Sequence, residues 1–372
     1  MQIAIQAGDL DRERVDGTRV YLKELLNRFG KLAPDVFFIL YHEKDFYPLL
    51  RPKHFAQYHE KKIPFSFAWM QTRFAWHIFR DQPDKLFLPI QAAPLWLPRR
   101  VEVTATIHDL AWKKYPETFS WKDRLKLNLL LRRVVKRADK LIAVSEATKE
   151  DILHYFPNVP REKVRVIHHG FDEEFFSCQI EEKELERILE SYQLKAKSYI
   201  LYVGALQPRK NLVRLIESFG SLKQTHPEAK LVLAGETAWL ADRIIKAYEE
   251  SPYREDIILT GKVDFALLRA LYQGACFLAF PSLYEGFGLP ILEAFASGIP
   301  VLTAHNSSLT DVAGDAALYC DAENTQDMAK KMTTLWSEEF LRHQLIVAGE
   351  KQKQRFSWEK CAKETLHYIQ EI

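Results

Sequence analysis

The sequence predicts an α/β protein of two Rossmann-like domains that face each other across a cleft. Its 372 residues are about twice the length of an average domain, which favours two compact cores. Short β-branched or aromatic runs alternate with longer helical patterns along the chain, and this alternation is typical of a parallel sheet covered by helices. The alternation forms two series, separated by a charged stretch that has no strand pattern.

The first series predicts an amino-terminal domain over residues 1–170. Its strands are expected at the runs IAIQA, VFFILY, KLFLP, VTATIHD, KLIAVS and VRVIHHG. Its helices are expected near 17–30, 67–80 and 121–137.

The second series predicts a domain over residues 195–355. Its strands are expected at SYILYVGAL, KLVLAGE, DIILTGKV, CFLAFPS, PVLTA and ALYCD. Its helices are expected near 211–225, 238–248, 264–273 and 290–297. The charged stretch between the two series, residues 171–198, is interpreted as a linker with a surface helix, which places the domain boundary near 170–195.

Composition indicates a folded, soluble protein, with 47% hydrophobic and 27% charged residues. The longest apolar runs, such as YILYV and CFLAF, are far shorter than the roughly 20 residues that cross a bilayer. The amino-terminal stretch has no signal-peptide pattern, so a cytoplasmic protein is expected. Four widely spaced cysteines without a CxxC pair are typical of reduced thiols.

Charge is distributed unevenly along the chain. Residues 1–170 contain 30 Lys and Arg against 20 Asp and Glu, whereas the remainder contains 22 against 30. The net charges are therefore +10 and −8, for a total of +2. A basic half indicates an anionic partner, such as phospholipid, a phosphorylated acceptor or nucleic acid. No nucleic-acid-binding module is recognisable, and nucleic acid is not expected as a partner.

The stretch PSLYEGFGLPILEAFASGIPV, residues 281–301, holds two glutamates on either side of a glycine-rich turn. The turn follows a predicted strand and leads into a helix, which places Glu285 and Glu293 at the carboxyl edge of the sheet. Gly286 and Gly288 let backbone N–H groups approach a ligand closely. Each carboxylate can accept two hydrogen bonds, which suits the vicinal hydroxyls of a sugar.

The stretch VGALQPRKNL, residues 203–212, is a strand end, a basic loop and the start of a helix. Arg209 and Lys210 at a helix amino terminus are typical of a diphosphate site, to which Arg adds a bidentate fork. An exposed basic turn is the alternative.

The segment VTATIHDLAWKKYPE places His108 and Asp109 at the end of a strand. The imidazole can hydrogen-bond a sugar hydroxyl or favour charge on a leaving group, but a lone histidine here is structural about as often. Asp109 can orient His108 or cap the next turn. Ser145, in AVSEATKEDIL, is predicted to cap a helix, and a role in the cleft that its loop lines is the alternative.

Two segments of the first half bear on a membrane or acceptor. Residues 121–140 form a predicted helix with eight cations and two acids, and residues 65–79 are dense in aromatic rings. Basic amphipathic helices can lie on anionic membranes, where aromatic residues suit the interface. A solvated face backed by core aromatics explains the same pattern, so peripheral membrane contact is a hypothesis.

The stretch EGFGLPILE resembles the Glu-x7-Glu motif of retaining glycosyltransferases of the GT-B type, most closely those of family 4. The resemblance extends from DGTRVYLKELL at 16–26 to SSLTDVAGDAALY at 307–319. It implies that Glu285 lies beside the donor sugar and that Glu293 binds the ribose of a sugar nucleotide. The turn residues between them, Gly286, Phe287, Gly288 and Leu289, are implied to line the same donor site.

The resemblance implies further roles for residues outside that motif. The family has a Lys six residues after a glycine at the diphosphate, which corresponds to Lys210 after Gly204. Many members also have Arg directly after that glycine; this chain has Ala205, so Arg209 is expected to supply the second charge. A histidine in the family's equivalent loop contacts the donor sugar, which assigns that role to His108.

The family's glycine-containing loop after the first strand corresponds to Asp16-Gly17-Thr18-Arg19. Gly17 is expected near the donor diphosphate, and Arg19 can meet an anionic acceptor. The carboxyl-terminal helix within 356–372 is expected to pack back on the first domain. The second domain is expected to hold the nucleotide and the first the acceptor.

The enzyme implied is a retaining hexosyltransferase of surface-polysaccharide assembly that uses a nucleotide-diphosphate sugar, with GDP-mannose the first candidate, and a saccharide or lipid-linked acceptor. No cofactor or metal is expected, because Arg209 and Lys210 supply the charge that a metal would. Two alternatives remain: a catalytically inactive sugar-nucleotide-binding protein, and a metal-dependent GT-A-type transferase that uses the DxD pattern Asp9-Leu10-Asp11. A dehydrogenase is excluded, since neither half has GxGxxG after a strand.

Overall fold

The chain divides into two compact α/β units. A computed structural model describes residues 1–13, 15–65 and 67–371. The first unit comprises Met1–Gly170 with Phe356–Ile372, and the second comprises Phe171–Arg355. Ser66 of the aromatic segment and Ile372 of the carboxyl-terminal segment lie outside the described residues, as does Arg14.

The described part of the first unit contains a seven-stranded sheet whose registered pairs are all parallel. Its spatial order is β3-β2-β1-β4-β5-β6-β7, so the chain reverses its direction of travel across the sheet between β1 and β4. The central strands are almost completely buried, which explains their continuous apolar runs. The strands are β1 (Gln2–Gln6), β2 (Phe37–His42), β3 (Tyr58–Lys62), β4 (Lys85–Leu88), β5 (Glu102–Ile107), β6 (Lys140–Ala143) and β7 (Val164–Val166).

Helices pack on both faces of this sheet and bury two hydrophobic clusters. The segment predicted as a helix near 67–80 begins with one turn of π-helix, Met70–Phe74, before its α-helical part. The helices are α1 (Gly17–Leu32), α2 (Ala75–Asp81), α3 (Ala111–Lys114), α4 (Trp121–Arg137) and α5 (Glu146–Tyr155).

The second unit has six described strands, again paired in parallel, in the order β10-β9-β8-β11-β12-β13. The chain runs outward from β8 to β10, returns to pair β11 with β8, and continues outward on the other side. The point of reversal therefore lies between β8 and β11. The strands are β8 (Tyr199–Val203), β9 (Lys230–Ala234), β10 (Ile257–Gly261), β11 (Phe277–Phe280), β12 (Val301–Ala304) and β13 (Leu318–Cys320).

The stretch that sequence patterns assign to a linker, 171–198, is an integral part of the second unit. Leu189 is fully buried, and Gln273 fastens the stretch by donating a hydrogen bond to the carbonyl of Cys178 (2.8 Å). The stretch is therefore not a linker between the units, although it carries the predicted surface helix, Glu182–Glu190, and the unit boundary lies at its start. The helices are α6 (Glu173–Ser177), α7 (Glu182–Glu190), α8 (Leu212–Lys223), α9 (Asp242–Glu249), α10 (Phe265–Gly274), α11 (Leu289–Ala296), α12 (Ser307–Ala313), α13 (Thr325–Ser337) and α14 (Glu339–Lys353).

The last helix, α15 (Trp358–Gln370), returns to the first unit. Trp358, Leu366 and Ile369 are buried in the cluster that α1 covers. At its end, the Arg165 guanidinium forms two hydrogen bonds with the Glu371 carboxylate, at 2.6 and 3.0 Å. Lys85 also donates to the Glu371 carbonyl at 2.7 Å. The first unit is therefore assembled from two segments that are distant in sequence.

Candidate functional site

The predicted donor-site residues of the second unit converge at the reversal point of its sheet. The loop that follows β8 carries Gly204, Arg209 and Lys210, and the loop that follows β11 carries Glu285. Because β8 and β11 are neighbouring parallel strands, their carboxyl-terminal loops meet at one edge. In open α/β sheets this is the position where ligands bind.

Arg209, Lys210 and Glu285 form one charge cluster. Nη1 of Arg209 lies 2.8 Å from Oε2 of Glu285, and Nζ of Lys210 lies 2.6 Å from Oε1. All three side chains are largely buried, with exposed fractions of 12%, 12% and 9%. Two cations and one carboxylate give a net charge of +1 (2 − 1), so the cluster favours an anionic ligand.

The electrostatics of the cluster keep Glu285 ionised. Burial by itself raises the pKa of a carboxyl group. Here the charges of Arg209 and Lys210, together with the hydrogen bond from Lys210, outweigh burial and lower the pKa of Glu285 to about 2. The carboxylate is therefore a hydrogen-bond acceptor throughout the neutral pH range.

Backbone contacts hold the two loops against each other. Arg209 and Lys210 belong to a 3₁₀ turn, and Asn211 then adopts a left-handed conformation (φ +63°) at the start of α8. The side-chain amide of Asn211 donates to the carbonyl of Pro281 at 3.1 Å. The N–H of Leu283 donates to the carbonyl of Arg209 at 2.9 Å. The charged side chains are thus positioned by a rigid backbone.

The turn between the two glutamates requires glycine at Gly288, which has φ +117° and precedes α11. A side chain there would be strained, and its Cβ would lie 3.3 Å from Leu309. Phe287 is buried, and Leu289 is the first residue of α11. The hydroxyl of Ser308 lies 2.9 Å from the carbonyl of Glu285 and 2.7 Å from that of Phe287. Gly286 is buried within the same turn.

Glu293 lies in α11 and has a different environment. Its Oε2 accepts a hydrogen bond from the hydroxyl of Tyr272 at 2.6 Å. Burial raises the pKa of Glu293 to about 7, and the negative charge of nearby Asp172 adds to this increase. The hydrogen bond from Tyr272 lowers the pKa but does not outweigh burial. Among the described residues, no ion pair with Lys, Arg or His is recorded for this carboxyl group.

In the first unit, Gly17 is the first residue of α1, and Asp16 caps that helix by accepting the N–H of Arg19. His108 follows β5. Its Nε2 lies 2.7 Å from the carbonyl of Pro89, and the Tyr21 ring of α1 stands edge-on to it at 5.2 Å. Burial lowers the pKa of His108, so the imidazole is neutral at pH 7.

Other polar residues that follow β1 in the first unit have partners within that unit. The Arg19 guanidinium pairs with Asp16 and donates to the carbonyl of Asp9 at 3.1 Å. Oδ2 of Asp11 accepts the N–H groups of Glu43 and Lys44 at 2.7 and 2.8 Å. The DxD pattern therefore has a structural role at Asp11.

Two further predictions concern caps. Oδ1 of Asp109 accepts the N–H of Ala111 at 3.1 Å, as expected of a residue that caps the next turn. Ser145 is fully buried, and its hydroxyl accepts the N–H of Thr148 at the start of α5, which confirms the capping role.

The structure thus brings together Arg209, Lys210 and Glu285. It places Glu293 just over one helix turn into α11, which follows the loop of Glu285. It also adds two residues that sequence reasoning missed, Ser308 and Tyr272. Ser308 is one of two serines at the start of a short helix, and Tyr272 sits in an apolar helix pattern, so neither carries a sequence signal of its role.

Two family models match the chain. The model described as glycosyl transferases group 1 matches residues 157–352, more than half of the chain, and that described as glycosyltransferase family 4 matches residues 15–175. Together they cover both units.

Among similar proteins, the O-antigen chain mannosyltransferase B of Escherichia coli is 30% identical over 298 residues, which are 79% of this chain and 76% of that protein. The N-acetylgalactosamine-N,N'-diacetylbacillosaminyl-diphospho-undecaprenol 4-alpha-N-acetylgalactosaminyltransferase of Campylobacter jejuni is 29% identical, covering 64% of this chain and 62% of that protein.

Among solved structures, HepE of Anabaena in complex with UDP and glucose matches with a TM-score of 0.76 at 15% identity, covering 100% of this chain and 99% of that one. This likeness shows the GT-B fold and excludes the GT-A alternative. On these family matches, the chain belongs to glycosyltransferase family 4 and is a hexosyltransferase.

Proposed function

We propose that the protein transfers mannose from GDP-mannose to a saccharide or lipid-linked saccharide in surface-polysaccharide biosynthesis, with retention of the anomeric configuration. The cluster of Arg209, Lys210 and Glu285 carries this proposal, because it is a buried, net positive site at the ligand-binding edge of a Rossmann-like sheet. The activities for which the E. coli and C. jejuni relatives are named support a mannosyl donor and a lipid-linked acceptor, respectively.

In the proposed mechanism, Arg209 and Lys210 bind the diphosphate and stabilise the negative charge that develops as the sugar departs. Fixed charges in a buried site need no reorganisation during the reaction, and this makes them effective. Glu285 accepts hydrogen bonds from the donor sugar, Glu293 from the ribose, and His108 hydrogen-bonds a sugar hydroxyl. Gly204 and Gly17 allow close approach of the backbone to the diphosphate.

The acceptor hydroxyl attacks the face from which the nucleotide leaves, and a phosphate oxygen takes its proton. No carboxylate base is then required. We propose that the reaction is independent of metal, since the two cations of the cluster already neutralise the diphosphate.

A thermal-shift screen tests the donor assignment. Purified protein is heated with GDP-mannose, UDP-glucose, UDP-N-acetylglucosamine, GDP or UDP, with Mg²⁺ or with EDTA. A ligand at 100 times its Kd stabilises a fold by about 2.7 kcal/mol. We expect stabilisation by GDP-mannose and GDP in both buffers. A response to uridine nucleotides alone would reassign the base, and a response that requires Mg²⁺ would overturn metal independence.

We also propose peripheral contact with an anionic membrane through α4. Trp121, Leu125 and Leu129 are spaced by four residues, so they lie on one helix face, and their exposed fractions are 68%, 65% and 51%. Seven Lys or Arg residues lie on the same helix. Exposed apolar side chains flanked by cations suit insertion into the interface of an anionic bilayer.

Vesicle co-sedimentation tests the membrane proposal. We expect binding to phosphatidylglycerol-containing vesicles, weaker binding to phosphatidylcholine alone, and loss of binding in Leu125→Glu. Phe340→Glu is the matched control, because Phe340 is 75% exposed but lies in the second unit. Equal binding of the wild type and Leu125→Glu would assign the contact to another surface.

A further inference from the structure

Glu285 and Glu293 flank the same turn, yet among the described residues cations pair with Glu285 alone. Arg209 and Lys210 contact both oxygens of Glu285. Glu293 has one recorded partner among the described residues, the hydroxyl of Tyr272, 2.6 Å from Oε2. A largely enclosed carboxylate whose single partner is a neutral phenol is poorly stabilised in its charged form.

Tyr272 is itself held rigidly. It lies in α10 and is fully buried. Its ring stands edge-on to Phe176 at a centroid distance of 5.4 Å, and Phe176 belongs to α6, which packs on α11. The hydroxyl has one proton to donate, and the carbonyl of Pro290, at 3.4 Å, is a much poorer acceptor than Oε2 of Glu293 at 2.6 Å. The phenol therefore fixes one oxygen of the carboxyl group.

This contact occupies Oε2 and leaves the other oxygen, Oε1, as the acceptor for a ligand hydroxyl. The rotameric freedom of the Glu293 side chain is lost before the donor arrives, which favours binding. Because Tyr272 donates to Oε2, a proton on this carboxyl group resides on Oε1. The ligand-facing oxygen then becomes a donor instead of an acceptor.

We propose that Tyr272 is a positioning residue of the nucleotide site, and that the Tyr272–Glu293 pair binds the ribose hydroxyls only while Glu293 is ionised, so that donor affinity falls in mildly acidic solution. The inference rests on the proposed role of Glu293 at the ribose. It extends that role to a residue on another helix and to the response of the site to pH.

The titratable groups set against Glu293 support this response. Tyr272 approaches from α10, and Asp172, which caps α6, approaches from the segment before that helix. Asp172 disfavours a second negative charge nearby, and burial acts in the same direction. Together they raise the pKa of Glu293 to about 7, which lies within the pH range of cells and of ordinary assays.

The first test compares Tyr272→Phe with Tyr199→Phe by calorimetric titration with GDP and 2′-deoxy-GDP. Tyr199 is the matched control because it is equally buried and its hydroxyl donates to the carbonyl of Leu271 at 2.7 Å. We expect Tyr272→Phe to weaken GDP binding by about tenfold, the effect of losing a hydrogen bond to a charged group. Its effect on 2′-deoxy-GDP should be smaller, and Tyr199→Phe should change neither Kd.

Equal weakening of both ligands by Tyr272→Phe would overturn a role at the ribose hydroxyls, and an unchanged Kd for GDP would overturn the positioning role altogether. If Glu293→Gln binds GDP as tightly as the wild type, the ribose assignment itself fails. If Glu293→Gln is weak and Tyr272→Phe is normal, that assignment stands and the present inference falls. Absence of GDP and UDP binding by the wild type would overturn both.

The second test measures the Kd for GDP-mannose from about pH 5.5 to about pH 8.5. The diphosphate diester of GDP-mannose does not titrate in this range, so the protein dominates the profile. We expect the wild-type Kd to rise by up to tenfold per pH unit below about pH 7, the limit for a single required ionisation. Glu293→Gln should show no such dependence. A flat wild-type profile would overturn the ionisation requirement.

Discussion

Glu285 and Glu293 show how environment gives two identical side chains different properties. The pKa of Glu285 is lowered to about 2, because Arg209 and Lys210 outweigh the effect of burial, whereas burial raises that of Glu293 to about 7. Such divergent pairs indicate a division of chemical roles. Glu285 is charged at all physiological pH values, and Glu293 responds to pH.

Lys210→Ala should slow sugar transfer by about 10²–10³-fold, the usual effect of removing one donor that stabilises transition-state charge. The fold should be retained, since Arg209 still pairs with Glu285. Steady-state kinetics with the donor identified by the screen provide the measurement, with the exposed Lys246→Ala as control. Near-normal turnover would remove Lys210 from the diphosphate site.

Glu293→Gln should stabilise the ligand-free protein at alkaline pH. The folded-state pKa of about 7 exceeds the ordinary value of 4.5, so the wild type loses stability as pH rises between these values. The variant avoids this loss, and we expect it to be more stable by about 1–3 kcal/mol near pH 8 but not near pH 5. Thermal melts at both pH values measure this; an equal difference at the two values would contradict a charge effect.

At the scale of elements, the sequence predicts the strands well because parallel strands in a covered sheet are continuous apolar runs. It does not predict β3, whose residues YHEKK are mostly polar because this strand lies at the edge of the sheet. The sequence patterns also do not predict helices α13 and α14. Residues 171–198 read as a linker because their charged residues dominate the pattern, although single residues such as Leu189 anchor the stretch.

The sequence predicts which loops form the candidate site, but it does not predict which side chains in those loops contact each other. Chain order and strand signals place Arg209, Lys210 and Glu285 at one edge of a sheet. Their direct pairing joins residues 75 and 76 positions apart, which no local pattern encodes. Tyr272 of α10 and Glu293 of α11 are 21 positions apart, and their contact depends on the tertiary fold.

Ser308→Ala tests how α12 supports the donor loop. The variant removes the donor shared by the carbonyls of Glu285 and Phe287, and unsatisfied buried carbonyls cost about 1–3 kcal/mol. We therefore expect a lower Tm and a weaker Kd for the donor. The exposed Ser221→Ala in α8 is the control and should match the wild type. An unchanged Tm in Ser308→Ala would show that the loop holds without this hydroxyl.

At the scale of the whole molecule, the first unit consists of two chain segments joined where Gly170 meets the start of α15. A Cβ at Gly170 would lie 1.9 Å from the backbone nitrogen of Trp358, which leaves no room for any side chain. Fastening at the other end of α15 depends on Arg165 and Lys85, which bind Glu371.

Gly170→Ala should therefore destabilise the first unit by about 3 kcal/mol or more, because backbone must move to accept the methyl group. Gly220→Ala, in α8, is the control: its Cβ would lie 3.7 Å from Tyr253, an ordinary contact, and the substitution should be neutral or stabilise by about 0.5–1 kcal/mol. Calorimetry distinguishes the two. An unchanged melting temperature for Gly170→Ala would show that the contact between Gly170 and the backbone of Trp358 is not tight.

The return of α15 to the first unit determines the order in which the chain can mature on the ribosome. Six core residues of α15, namely Trp358, Cys361, Ala362, Leu366, Tyr368 and Ile369, complete a core whose other members are synthesised before residue 170, yet they emerge after the entire second unit. The second unit can therefore close its core first, while the face of α1 that awaits α15 stays uncovered. The unit that is translated first is thus the last to be finished, and in that interval it exposes apolar surface to chaperones and proteases.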